Sequence, residues 1–252
     1  MKLSKANAWR TDLLENKCNQ LMALEEVLEA SKNRFGYDNL IRLYGMSSCE
    51  YYAKGIRIFG RTAIEAKVDS QANFIANRVK ETVQNNYPNY EISVIDLFMG
   101  SGNLLYQIAE SLQSQSKIAF ERDENIYNLT RSNLELIDFS VQYHLGNFQD
   151  LFPKIQLNNK NLNVIIIDPP WGNKGAFNFS KGLDLRLTEP PLIEILHFLK
   201  KQIAKTPVIY VVPVYKIVVE ESLLSIAENY SIYERGLTLT PATKIGYVIG
   251  KI

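Results

Sequence analysis

Val94-Ile-Asp-Leu-Phe-Met-Gly-Ser-Gly-Asn103 reads as a buried strand running through a glycine turn into a helix. Ligands in open α/β sheets sit at the carboxyl ends of the strands, and the first strand–helix turn is where backbone must approach them. Gly100 and Gly102 lack the Cβ atoms that would block that approach. A Gly-x-Gly pair is also what an ordinary tight turn uses, so its meaning depends on what surrounds it.

Downstream of this turn, short β-branched runs alternate with helical stretches. Asn103 to Leu112 is a helix, Lys117 to Glu121 a second strand, and Glu124 to Leu136 a helix. Val141 to Leu145 and Val164 to Asp168 are a third and a fourth strand, with the first strand spanning Val94 to Phe98. Pro191 to Lys201 is helical, Val208 to Val212 a fifth strand, and Glu220 to Glu228 a further helix. Such alternation predicts a parallel sheet with crossover helices on both faces. Ile232 to Leu239 and Ile245 to Ile252 leave no room for a helix between them, only Thr240-Pro-Ala-Thr243. They therefore pair antiparallel. The expected fold is α/β, a doubly wound and mostly parallel seven-stranded sheet closed by an antiparallel hairpin.

Upstream of about residue 90 helical patterns dominate. Leu13, Leu14, Leu21, Met22, Leu24, Val27 and Leu28 recur at helical spacing from Trp9 to Ala30. A polar, Tyr-rich connection follows from Arg34 to Lys67, read as a solvated loop whose Lys54, Arg57, Arg61 and Lys67 would alternatively face phosphate. A helix then starts at Asp69-Ser70, one of the two being its N-cap, and ends near Gln84. Residues 1–67 are thus expected to be a helical extension, with substrate and dimer contacts both open, and 68–252 the main domain.

Bulk composition narrows the function classes. The chain has 252 residues, 46% hydrophobic and 22% charged, with 28 Lys plus Arg against 27 Asp plus Glu. A net charge of +1 excludes a protein that coats nucleic acid through overall charge, so any such substrate needs a local patch. Cys18 and Cys49 have neither disulfide density nor metal-ligand spacing, and both are expected reduced and buried. His144 and His197 are expected to be structural, and no metal site is expected. No apolar run approaches the ~20 residues that span a bilayer. The polar N-terminus lacks a secretory h-region, so a soluble, cytoplasmic protein is expected.

Glu121 ends the second strand, nineteen residues after Gly102. A carboxylate there can accept hydrogen bonds from both hydroxyls of a ribose. A nicotinamide dinucleotide site shares this pair but wants Gly or Ala where this chain has Leu105. Asp96, at the turn, suits a cationic amino-acid moiety rather than a pyrophosphate. S-adenosylmethionine (SAM), with a sulfonium, an ammonium and no phosphate, fits these residues best.

Asp168-Pro169-Pro170-Trp171-Gly172 closes the fourth strand. Two prolines fix the backbone and remove two N–H donors, so the segment presents carbonyl acceptors. With Asp168 they suit an –NH2 group, and Trp171 would stack on the ring that carries it, worth ~1–3 kcal/mol per base. The plainer alternative is a proline-rich turn with Trp171 in the core.

The three motifs, in this order and at these strand ends, resemble the class I SAM-dependent methyltransferases that modify amino nitrogens. Within them, Asp168-Pro-Pro-Trp-Gly172, Leu183-Asp-Leu-Arg186, Pro190-Pro191 and Ile209-Tyr-Val-Val-Pro213 look most like the RNA cap guanine-N2 methyltransferase (trimethylguanosine synthase) family, over about residues 68–215. The resemblance implies that Asp96, Gly100, Gly102 and Asn103 line the methionine end of SAM and that Glu121 binds the ribose. Asn147 and Phe148 would border the adenine, and Asp168, Pro169, Pro170 and Trp171 would face the acceptor. The family often has Ser at Asp168 and relatives often have Asp at Asn147. Gly175-Ala-Phe177-Asn-Phe179 supplies nearby aromatics or a lid. The expected acceptor is an exocyclic amine, guanine N2 of RNA first. A small-molecule N-methyltransferase, an adenine-N6 enzyme and a non-catalytic SAM-binding subunit remain alternatives.

Overall fold

The computed structural model describes residues 5–170, 177–178, 182–203, 206–215, 218–240 and 243–252. Helices α1 (Lys5–Glu15), α2 (Leu24–Phe35), α3 (Ser48–Ala53), α4 (Gly60–Glu65) and α5 (Asp69–Asn86) precede strand β1 (Ile92–Asp96). Then come α6 (Asn103–Leu112), β2 (Ser116–Glu121), α7 (Glu124–Glu135), β3 (Gln142–Leu145), α8 (Phe148–Leu151) and β4 (Leu162–Ile166). The short β5 (Phe177–Asn178) and β6 (Gly182–Leu183) form a ribbon, followed by α9 (Leu192–Gln202), β7 (Val208–Tyr215) and α10 (Glu220–Ala227). β8 (Ser231–Thr240) and β9 (Thr243–Lys251) complete the chain's elements.

The sheet has seven strands in the order β3-β2-β1-β4-β7-β9-β8, parallel up to β7, with β9 antiparallel to both β7 and β8. This is the architecture expected from the alternation of strands and helices. Period-two side-chain alternation divides each central strand between two cores. Val94, Val164, Ile166, Ile209 and Val211 pack toward α2, α5 and α6; Ile95, Ile165, Ile167, Val208, Tyr210 and Val212 pack toward α9 and α10.

The N-terminal part differs from expectation. The stretch from Trp9 to Ala30 is two helices, because the chain turns after Glu15 and Leu21 bridges Phe59, with the Met22 N–H donating to the Ile58 carbonyl at 3.0 Å. The polar segment from Arg34 to Lys67 is no solvated loop. It contains α3 and α4, and Ile41, Leu43, Tyr51, Ile56 and Ile58 are fully buried in the same core as β1 and β4. Hydrophobic residues spaced irregularly here escape a periodicity reading because α3 and α4 are each only six residues long.

Asp69 does not cap α5, whose N-cap is Val68. The buried Asp69 carboxylate accepts from Gln107 Nε2 at 2.9 Å and from the Gly45 N–H at 3.0 Å, joining α5 to α6 and to the loop before α3. Cys49 is exposed rather than buried, and Cys18 is half-buried; both are free. His144 stacks on Phe120, with ring centroids 5.1 Å apart, and His197 lies against Tyr230.

The hairpin depends on a close approach. Gly250 of β9 lies beside Tyr210 of β7, whose ring covers it, and the Tyr210 hydroxyl donates to the Ser231 carbonyl at 3.3 Å. A Cβ at position 250 would stand 2.3 Å from both the Tyr210 hydroxyl and the Ser231 carbonyl oxygen. Gly250→Ala is therefore expected to cost about 1–3 kcal/mol by overpacking. Urea unfolding should show the midpoint falling; an unchanged midpoint would contradict this packing of β7, β8 and β9.

Candidate active site

Strand register sets the site. Asp96 ends β1, paired in register with Ala119 of β2 and Ile166 of β4. Glu121 and Asp168 therefore stand two residues further along the neighbouring strands, at the same end of the sheet and on either side of Asp96. All three carboxylates line one cleft of about 780 Å3, together with Gly100, Asn147, Phe148, Pro169 and Pro170.

The glycine turn is held rigidly at its lip. Gly100 and Gly102 take positive φ angles of 51° and 70°, which L side chains rarely adopt, and Gly102 is the N-cap of α6. A Cβ on Gly102 would sit 3.0 Å from both Leu134 and Thr130. The Gly100 N–H donates to Glu121 Oε2 at 3.0 Å, and the Asp123 N–H to Glu121 Oε1 at 2.9 Å. Each Glu121 oxygen thus keeps a lone pair for a further donor while its orientation is fixed.

Asp96 is 2% exposed, with one oxygen accepting from the Phe98 N–H at 3.0 Å. Burial raises its pKa to about 7; the Phe98 amide opposes that rise, Asp168 and Glu121 add to it, and Lys67 pulls weakly the other way. Asp168 is paired: Lys67 Nζ lies 2.5 Å from its Oδ2, the two side chains being 12% and 21% exposed. The Pro170 carbonyl accepts from the Glu189 N–H at 3.0 Å, which pins the Pro-Pro segment against Glu189-Pro190 across the cleft.

Asn103 has a different task from the one the resemblance implies. It is fully buried; its Oδ1 accepts from the Tyr44 N–H and its Nδ2 donates to the Lys67 carbonyl, both at 2.7 Å. It stitches the start of α6 to the N-terminal region instead of lining the cleft. Asn147 caps α8, accepting from the Gln149 N–H at 3.0 Å, and Phe148 packs on Phe98 and Phe198 while bordering the cleft. Trp171, Gly172 and most of the Gly175–Phe179 segment, including its aromatic side chains, lie outside the described residues.

Of the four cations noted in the N-terminal segment, two reach the cleft. Arg61 lines it, paired with Glu65 and Asp123, and Lys67 holds Asp168. Arg57 turns inward, donating to the carbonyls of Tyr52 and Ile56, and Lys54 ends α3. Asp184 and Arg186 form a local ion pair. Arg10, Arg34 and Phe35 also line the cleft, and no sequence motif marks them. Among the described residues no group of three or more His, Cys, Asp or Glu side chains is arranged to hold a metal, and no helix is long and apolar enough to cross a membrane.

A parallel sheet whose last strand runs antiparallel between a parallel neighbour and an outer strand, with its cleft at the β1, β2 and β4 ends, matches a Rossmann-like methyltransferase. The fold is that of the class I methyltransferases. A family profile described as conserved hypothetical protein 95 matches residues 67–188, just under half of the chain, a span that contains Lys67, Asp96, Glu121 and Asp168. No curated protein matches the sequence. Solved structures similar to this methyltransferase fold include TrmK of M. capricolum in complex with S-adenosyl-homocysteine (14% identity, 71% of this chain and 67% of that one, TM-score 0.45). A putative methylase from Haemophilus influenzae aligns over 70% of this chain and 98% of its own (22% identity, TM-score 0.46). A tRNA (uracil-54, C5)-methyltransferase of Pyrococcus abyssi in complex with S-adenosyl-L-homocysteine aligns over 74% and 39% (19% identity, TM-score 0.45).

The raised pKa of Asp96 has a pH signature. Between about pH 4 and 7 the unfolded chain ionises this carboxyl while the folded protein keeps it protonated, so its contribution to stability falls as pH rises. Once ionised near its shifted pKa, the group costs the fold roughly 4 kcal/mol. Asp96→Asn should therefore stabilise the ligand-free protein, with a gain in melting temperature that is larger at pH 8 than at pH 5. A gain independent of pH would refute the buried, proton-binding Asp96.

Proposed function

We propose that the chain is a SAM-dependent methyltransferase acting on an exocyclic amine, with guanine N2 of RNA as the acceptor to which the motif resemblance points. The observation that carries this reading is the convergence of Asp96, Glu121 and Asp168 on one cleft beside a rigid glycine turn. Asp96 and Glu121 suit a ligand that brings positive charge and a diol, and Asp168 suits an amine donor beside it. A phosphate-bearing dinucleotide would meet repulsion on the same floor. Asp96 in particular costs stability when ionised, and a cationic amino-acid moiety bound against it offsets that cost.

The residues divide the work by position. Glu121, aimed by the Gly100 and Asp123 amides, is placed to accept from ribose hydroxyls, and Asn147 and Phe148 border the purine. Asp96 sits toward the amino-acid end, where Gly100 lets backbone come close. When bound, SAM supplies an activated methyl group. Asp168 and the Pro169 carbonyl then accept the two N–H bonds of the acceptor amine. An exocyclic amine is a weak nucleophile because its lone pair is delocalised into the ring. Holding both hydrogens favours the pyramidal nitrogen with its lone pair aimed across the cleft.

The proton released after transfer goes to Asp168 or past it to water, and no strong base is needed. The contact that Asp168 Oδ2 makes with the Lys67 ammonium supports this reading, since the carboxylate already receives one N–H donor there. Rate enhancement comes mainly from positioning in a partly desolvated cleft.

Two substitutions separate cofactor binding from chemistry. Asp168→Ala should reduce methyl transfer to RNA by at least about 100-fold, the scale of a lost positioning and proton-accepting group, while S-adenosylhomocysteine binding measured by calorimetry stays within about threefold. Gly102→Val should do the reverse and abolish that binding, through φ strain and contact with Leu134 and Thr130. Equal loss of binding and turnover in Asp168→Ala would remove the role assigned to it. Methyl-labelled SAM offered to RNA, DNA and a metabolite extract identifies the acceptor by where label appears.

A further inference from the structure

The N-terminal wall of the cleft carries two cations that the methyl-transfer reading leaves without a task. Arg61 is neutralised by Glu65 and Asp123, and Lys67 by Asp168. Arg10 and Arg34 line the same cleft, and among the described residues neither has a carboxylate partner. Arg34 spends one terminal nitrogen on the Ala63 carbonyl at 2.9 Å and the other on the Ala66 carbonyl at 3.1 Å. Its guanidinium also stacks on the Phe35 ring, 4.7 Å from the centroid. Burial, with Arg10 adding repulsion, lowers its pKa to about 10.

Two like charges lining one cleft, close enough for Arg10 to repel Arg34, favour an anion that joins them. The placement says where that anion sits. Ala66, whose carbonyl Arg34 holds, precedes Lys67, which grips Asp168. The cationic wall is therefore one residue along the chain from the acceptor end of the cleft, while Glu121, Asn147 and Phe148 belong to the other end. Arg10 is exposed and Arg34 shielded, so positive charge runs from solvent inward. With a net charge of only +1 over the whole chain, such a local gradient is what would draw in a polyanion.

We propose that Arg10 and Arg34 form a phosphate subsite for the backbone of a polynucleotide acceptor, directing the amine-bearing base past Ala66 toward Asp168. This rests on the reading of Asp168 as the amine-accepting group. Guanidinium N–H groups suit phosphate oxygens, and Arg34 has five of them, more than the two it gives to Ala63 and Ala66.

The test uses the full chain, saturated with S-adenosylhomocysteine, and a fluorescein-labelled single-stranded RNA of about 12 nucleotides, within the range of single-strand site sizes. Anisotropy is followed from about 50 to 200 mM salt. Arg10→Gln, at an exposed position, should weaken RNA binding about tenfold at the lowest salt and flatten the log K against log salt slope by about 0.7, one phosphate contact on a single strand. Arg34→Lys, which keeps the charge but loses the fork, should weaken binding with little change in slope. Both variants should bind S-adenosylhomocysteine as the parent does, which also reports an intact fold. An Arg10→Gln protein with parental affinity and slope would overturn the subsite. So would parental protein that binds S-adenosylhomocysteine but no RNA, in which case the cofactor reading stands alone. Protein that binds neither would bring down the underlying methyltransferase reading as well.

Discussion

A buried carboxylate at the tip of the central strand sets the terms for everything around it. Asp96 is sealed from water, flanked by Glu121 and Asp168 on the neighbouring strands, and offered one backbone donor, from Phe98. Parallel pairing forces this crowding: β2 and β4 must both run alongside β1, so acids at equivalent strand ends meet. The surroundings answer by rationing positive charge. Lys67 reaches Asp168 and weakly relieves Asp96, and backbone amides of Gly100 and Asp123 hold Glu121. What remains is a floor with residual appetite for cations, beneath a wall with residual appetite for anions.

That wall is why the first 67 residues belong with the rest of the molecule. Tyr44 donates its amide to Asn103 and its hydroxyl to the Ser101 carbonyl, while Asn103 donates to the Lys67 carbonyl. Arg34 then ties α2 to the end of α4 and to Ala66. Together these bonds link the glycine turn, the lysine on Asp168 and the N-terminal helices into one hydrogen-bonded unit. Ile41, Leu43, Ile56 and Ile58 share a hydrophobic core with Val94 and Val164, so packing reinforces the same union.

The sheet was legible in the sequence because its strands announce themselves locally. Val164-Ile-Ile-Ile is β-branched throughout, and the Asn103–Leu112 helix begins beside a glycine that must take positive φ. Shifts of two residues at β1 and β4 arose where apolar residues continue past the last ladder pair, as Leu97 and Ile167 do. The acids Asp96, Glu121 and Asp168 could be picked out because strand ends are where such groups converge. The region from Arg34 to Lys67 was illegible for the opposite reason. Its helices are too short for a period to emerge, and its order comes from distant partners: Asn133 receiving the Arg57 amide, Asn39 the Ser48 amide, Asp69 the Gly45 amide. Arg34 and Arg10 gave no signal at all, since only the folded chain brings α1 and α2 to the cleft.

The strand order carries a consequence for how the protein is made. β8 leaves the ribosome before β9, yet in the finished sheet its neighbour is β9, which lies between it and β7. Until residues 243–251 emerge, the β7 edge, with Ile209, Val211 and Val212 along it, has no partner and is open to pairing with another chain. The nascent protein thus passes through a stage in which its site-bearing strands are aligned but one side of the sheet is adhesive.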